Sequence, residues 1–283
     1  MDVKEIDWAK RNKQEDKRLE ESLKESIKGL TEAISNEDGY KRLEQISDSD
    51  WDQAQDEDKG RRPRRAIKGR DWQTVVKGMT NVQKLVHLAM RQDSVDEERI
   101  RTELLKVRRR AYEDEITNQA ARVGCKKTGL LGNNDSLTAL NDASKEDAAG
   151  IVNTFNFDLA ASVINISTEN PKANRKTFVK RLGEWEEKRT EWKSNQIAMF
   201  TEGSARSMAQ SDFMDRNDID GYAELQPETA AEEICQGWIN RGQVPMKEAL
   251  NNPPPYHGNC PHRFRTYPNQ ATKQECEDLW IGN

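Results

Sequence analysis

Three consecutive prolines, Pro253, Pro254 and Pro255, stand directly before Tyr256-His257-Gly258-Asn259-Cys260-Pro261-His262-Arg263. Proline fixes φ, offers no backbone N–H and restricts the residue before it, so this stretch is neither helix interior nor central strand. The sequence predicts a rigid, exposed loop presenting His-x-x-Cys-x-His. The whole chain has three histidines and four cysteines. Two of those histidines and one cysteine fall within these six positions, and Cys235 lies not far upstream.

Much of the chain before that block reads as helix. Of 283 residues, 34% are hydrophobic and 34% are charged. Leu, Ile, Val and seven Trp nevertheless recur in periodic runs, which argues against a disordered chain. Such a composition fits an extended, helix-rich protein that buries surface against partners better than it fits a compact enzyme. A net charge of −5 gives no overall attraction to nucleic acid. No apolar run approaches the roughly 18–20 residues that span a bilayer. Met1-Asp2-Val3-Lys4-Glu5 shows no signal-peptide pattern, so a reducing cytoplasm is expected, with cysteines as thiols or ligands rather than disulfides.

Five segments follow. Residues 1–45 are a helical arm, with Leu19, Leu23, Ile27, Leu30 and Ile34 forming a narrow stripe suited to a partner. Residues 46–70 are a charged linker, acidic from Asp48 to Asp58 and then basic with Arg61, Arg62, Arg64 and Arg65. The basic half is either a solvated stretch or a grip on phosphates or an acidic surface. Residues 71–146 are a helical region and loop. Thr80 with Gln83 and Ser94 with Glu97 have capping-box spacing, His87 reads as a packed or surface histidine, and Arg108-Arg109-Arg110 reads as a solvated face. Gly124 to about Ser144 is rich in turn formers and is expected to be a long loop ending the region. Residues 147–222 are a central helical domain. There Phe178, Trp185, Trp192 and Met199 stand at seven-residue intervals with Leu182 between the first two, a pattern that predicts a packed seam. Residues 223–283 are a C-terminal Cys/His subdomain. Thr229 with Glu232 opens a short helix, Gly242 ends it, and Arg263–Tyr267 alternates like a strand. The fold class is therefore mainly α, with long helices and a small C-terminal α+β subdomain.

The second half of the chain, over about residues 150–268, resembles the phage head-morphogenesis family, the Mu F-like minor head proteins. The resemblance rests on four blocks in order. The first is a long helix with Thr201-Glu202 followed by small residues. A short acidic stretch, Asp218 to Glu224, comes next, and then Cys235-Gln236-Gly237-Trp238 running into a glycine turn. The last is Pro254-Pro255-Tyr256-His257-Gly258-Asn259-Cys260. Two positions depart from the family's pattern: Trp238 stands where a second cysteine is usual, and Pro261-His262 replaces a final Arg-Cys.

The resemblance implies a non-enzymatic structural protein of the virion, assembled in the host cytoplasm, with no membrane association. Its partners would be the portal protein and other head proteins, and packaged DNA through Arg61, Arg62, Arg64 and Arg65. It would act in head morphogenesis, DNA packaging or DNA ejection. Cys235, His257, Cys260 and His262 have the number and type of donors of a structural zinc site. A metal-free hydrogen-bonded turn with buried thiols is the alternative, and a catalytic Cys260 activated by His257 or His262 is a third. Cys276 is a spare ligand, and Cys125 reads as a lone thiol. The rival function is a zinc-containing nucleic-acid-binding protein or small nuclease, which the acidic net charge opposes.

Overall fold

The computed structural model describes residues 8–35, 37–59, 72–91, 96–129, 135–169, 174–226, 232–256, 260, 262–269, 271 and 273–282. Within them the chain is mainly α with one small antiparallel sheet, as its periodicity predicts. The helices are α1 (Trp8–Ile34), α2 (Glu37–Gln45), α3 (Asp48–Glu57), α4 (Trp72–Lys77), α5 (Asn81–Arg91), α6 (Glu97–Arg122), α7 (Asp135–Glu169), α8 (Arg175–Asn217), α9 (Glu233–Arg241), α10 (Met246–Leu250) and α11 (Lys273–Asp278). The strands are β1 (Gly221–Leu225), β2 (Val244–Pro245) and β3 (Phe264–Pro268), in the order β2-β1-β3. Ala223 pairs with Val244 on one side and Thr266 on the other.

The chain divides into two compact units, neither of them continuous: residues 1–30, 102–144 and 194–283 form the first, and 31–101 with 145–193 form the second. The division points fall inside α1, α6, α7 and α8. The first unit holds the sheet, and its core gathers Tyr112, Ile116, Phe213, Leu225, Cys235 and Phe264 among others. In the second, α5 packs on α2 and α3, and the Trp51 ring meets Phe178 edge-on at 5.8 Å.

Local chemistry sets the helix ends. Thr80 and Gln83 form the expected capping box: Gln83 N–H donates to Thr80 Oγ1 at 3.3 Å and Thr80 N–H donates to Gln83 Oε1 at 2.9 Å. Ser94, of the box expected with Glu97, lies outside the described residues; at the start of α6, Asp96 Oδ1 accepts from the Glu98 N–H at 3.0 Å. At the far end of α6, Gly124 adopts a φ of 89°. The Cys125 N–H then bonds back to Ala120 O and the Gly124 N–H to Ala121 O. That reciprocal pair is a Schellman turn, which needs a left-handed residue where Gly124 stands.

Four expectations are overturned. Part of the 46–70 linker is helix α3, because Ser47 caps it and Trp51 and Ala54, three positions apart on one face, are both buried. The Arg61, Arg62, Arg64 and Arg65 run lies outside the described residues. The arm does not present a free stripe: Leu30 and Ile34 are buried by the chain itself, and Leu19, Leu23 and Ile27 are half-buried. The 124–144 loop is shorter than expected, since α7 begins at Asp135. Arg108 is not on a solvated face; it is buried and donates to Ser144 Oγ at 3.0 Å.

The seam on α8 is the most instructive correction. Phe178 is buried, Trp185 and Met199 are half-buried, and Trp192 is 53% exposed beneath the Lys193 ammonium. Burial instead follows a four-residue step: every fourth residue from Phe178 through Met214 is buried, with Glu186, Thr190, Ser194, Glu202, Arg206 and Gln210 among them. A seven-residue repeat falls back about 20° per repeat on a straight α-helix, whereas a four-residue step advances about 40°. Starting together at Phe178, the two rows stand on roughly opposite faces by Trp192.

Two expected outcomes follow for the second unit. Leu182→Ala, at a fully buried position, lowers stability by about 2–5 kcal/mol, while Trp192→Ala stays within about 0.5 kcal/mol, as thermal melts of both variants would read. His87 is buried and stacked on Trp72, at 6.1 Å between ring centroids. Burial first, and then the Arg91 charge, push its pKa down to about 4, with the Asn156 backbone opposing. The unfolded chain therefore binds a proton that the folded one refuses between about pH 6.5 and 4, and stability falls as pH is lowered through that window. Acid titration of His87→Phe alongside the parent checks this: the variant loses less stability between those pH values.

Candidate metal centre

Cys235 sits in the first turn of α9, and Cys260 and His262 lie on the segment entering β3. The three are 0%, 3% and 2% exposed, so Cys260 and His262 are not presented to solvent as the prolines suggest. Cys235 Sγ is 3.8 Å from Cys260 Sγ, and Cys260 Sγ is 3.6 Å from His262 Nδ1. Donor atoms of all three lie within 4.8 Å of one another, and together they can hold a metal ion. His257, the fourth sequence candidate, lies outside the described residues.

Helix α8 fixes the loop from beneath. Ser207 Oγ donates to the Pro254 carbonyl at 2.6 Å, Ser211 Oγ to Leu250 O at 3.4 Å, and Gln210 Nε2 to Phe264 O at 3.1 Å. A proline-rich loop has few N–H donors of its own, so its carbonyls are matched by side chains on the helix. The Pro254–Pro255 peptide is cis, and Tyr256 O–H closes the turn on Asn252 O at 2.9 Å.

The α9 helix opens at Glu232, which makes no side-chain cap; Thr229, the expected cap, lies outside the described residues. Gly242 ends the helix with the expected positive φ, 64°. Trp238, at the place where the resembled family carries a second cysteine, packs edge-on against Phe264 at 5.4 Å, with the Arg241 guanidinium 4.5 Å over its ring. It is a packing residue, not a donor.

Two cysteines expected as a lone thiol and a spare ligand are neither. Cys125 and Cys276 form a disulfide, with Cα atoms 5.4 Å apart, which takes both out of any donor set. Their sequence separation of 151 hides the pairing, because it depends on the Schellman turn delivering Cys125 to the C-terminal segment. The sequence also gives little sign of the polar platform behind β3. Thr266 Oγ1 donates to Gln119 Oε1 at 2.8 Å, Arg122 donates to the Thr266 carbonyl, and Gln210 Nε2 donates to Glu115 Oε1 at 2.8 Å. Its signal was the four-residue spacing of Glu115 and Gln119 on α6 and of Arg206 and Gln210 on α8. Burial pushes the Glu115 carboxyl up, but Arg206, Gln210, Arg122 and Gln119 outweigh it, and its pKa is lowered.

Burial and then the neighbouring Cys260 raise the Cys235 thiol to about 11. The metal-free pocket therefore holds a neutral, inert thiol at neutral pH, and only a cation would favour the thiolate. No family model, curated protein or solved structure matches the chain. In the metal-free folded protein, Cys235 reacts far more slowly with an aromatic disulfide reagent at pH 7 than a free cysteine does. Full denaturation without reductant releases two reactive thiols per chain, Cys235 and Cys260; four would mean that Cys125 and Cys276 are unpaired.

Proposed function

We propose that the chain is a non-enzymatic minor head protein of a tailed phage, held at the portal vertex and acting in head morphogenesis, DNA packaging or DNA ejection. We further propose that Cys235, Cys260 and His262, with His257 as the fourth donor, bind Zn²⁺. The reading is supported first by the order of elements: a long helix with Thr201-Glu202, a strand, a cysteine-bearing helix closed by Gly242, and a proline loop leading to Cys260.

The observation that carries the metal is the spacing of the donors. A tetrahedral ion with Zn–S of about 2.3 Å and Zn–N of about 2.0–2.1 Å separates two sulfurs by about 3.8 Å and a sulfur from a nitrogen by about 3.6 Å. The separations here are 3.8 Å and 3.6 Å. The burial of all three donors suits a closed structural site rather than an open catalytic one. The partners would be the portal and other head proteins, with packaged DNA reached through Arg61, Arg62, Arg64 and Arg65. Arg108, part of the second basic run, is buried, which weakens a nucleic-acid-binding reading built on that run. Among the described residues no helix is long and apolar enough to cross a membrane.

Two measurements test the two parts separately. Elemental analysis should find about one zinc per chain, lost in Cys260→Ser and on chelation, with increased hydrogen exchange at 232–269 and little change in α7. A zinc-free protein sinks the metal assignment alone. Co-expression with portal and major head proteins should leave the chain in sedimenting heads, and its absence from heads that form normally sinks the structural role. Cleavage of duplex DNA by the zinc-loaded protein would favour the nuclease reading instead.

A further inference from the structure

Residues 13–28 of α1 lie on the first unit with their polar side inward. The buried side chains there are Glu15, Ser22 and Ser26, while Leu19, Leu23 and Ile27 remain half-exposed. This inverts the usual amphipathic docking, in which apolar side chains face the core. The contacts are ionic or hydroxylic. Glu15 pairs with Arg122, and Asp16 with Arg263 and Arg265. Glu25 pairs with Arg110 at 2.6 Å. Ser22 Oγ donates to Glu202 Oε1 at 2.7 Å, and Ser26 Oγ reaches the same oxygen at 2.9 Å.

Beyond this stretch the character of the helix changes at one residue. Leu30, Ala33 and Ile34 are buried apolar positions, and Gly29 separates them from the polar part. A glycine within a helix weakens it, because it loses more backbone freedom on folding than any other residue. A Cβ on Gly29 would stand 3.1 Å from Glu103 Oε2, the end of a flexible side chain that can yield by a few tenths of an ångström. The apolar end is thus anchored, the polar end is latched, and the joint between them is weak.

We propose that residues 8–28 form a detachable arm that lifts at Gly29 and is exchanged between two copies of this chain. A latch of charges and hydroxyls is re-wetted at little loss when it opens, unlike an apolar face, so both the closed and the lifted arm are soluble. The uncovered seat carries Arg110, Arg122, Arg263 and Arg265, but also Glu202, which takes hydroxyl donors from the arm. A nucleic-acid backbone would set phosphate against that carboxylate. A helix bearing Glu15, Asp16, Ser22, Glu25 and Ser26 satisfies every position, and the helix with that pattern is the arm of a second copy. Arm exchange closes as a symmetric pair, since each copy gives what it receives. This inference does not depend on the metal or on the virion role.

Charge reversal at the Asp16 pairs separates exchange from simple release. One full-length variant carries Asp16→Arg; the other carries Arg263→Glu with Arg265→Glu. Within each variant the arm and seat repel, but across the two both contacts are restored. Alone, each variant should be monomeric by light scattering, with hydrogen exchange at residues 13–28 accelerated at least tenfold and α6 unchanged. Mixed in equal amounts, they should form a species of twice the mass with the arm protected again. An equimolar mixture that stays monomeric, or that binds a DNA duplex instead of pairing, overturns the proposal. Unchanged protection of residues 13–28 in the separate variants overturns it as well.

Discussion

Helix α8 buries a polar row, and much of the first unit is arranged to satisfy it. A buried carboxylate, guanidinium or amide without a partner is costly, so each such side chain on α8 dictates what lies opposite. Glu202 takes the hydroxyls of α1, Arg206 pairs with Glu115 at 3.5 Å, Ser207 holds the Pro254 carbonyl, and Gln210 bridges Glu115 and the Phe264 carbonyl. The arm, the proline loop and the entry to β3 are thus positioned by consecutive turns of one helix. Hydrophobic contact supplies the bulk of the packing around Phe213, Phe264 and Tyr112, but it is not directional. The polar row supplies register.

The same row marks the limit of what the sequence discloses. Helical content, the Thr80–Gln83 box, the Gly242 turn and the strand at 264–268 are legible because each depends on neighbours within a few residues. The α8 packing face is not legible from hydrophobicity, since its buried row contains Glu186, Thr190 and Ser194, while the large aromatic Trp192 points outward. The arm misleads for the same reason, with its polar side in and its leucines at the margin. At the candidate metal site, Cys235, Cys260 and His262 stand out by rarity and spacing and do converge. The Cys125–Cys276 pairing has no local signature and emerges only from the fold.

The centre itself is an electrostatic conditional. Without a cation, burial first and then the neighbouring Cys260, 3.8 Å away, keep the Cys235 thiol protonated well above neutrality. A bound cation would reverse that preference, and its uptake would release protons and depend on pH. The helix-held carbonyls of Pro254 and Phe264 keep the donors near one another in the meantime. Little reorganisation is then left for the binding step.

The disulfide between Cys125 and Cys276 makes a covalent ring of everything from the end of α6 to α11, its closing points 151 positions apart in sequence. Helices α7, α8, α9 and α10 and all three strands belong to that ring, whereas α1 to α6 lie outside it. A protease that nicks the backbone once anywhere within the ring opens it without dividing the molecule in two. Such damage adds only one water to the mass under oxidising conditions, and the two fragments separate only after reduction. The part of the chain that carries Cys235, Cys260 and His262 is therefore retained after a single cut within the ring, while a cut before Cys125 severs what precedes it from the covalent whole.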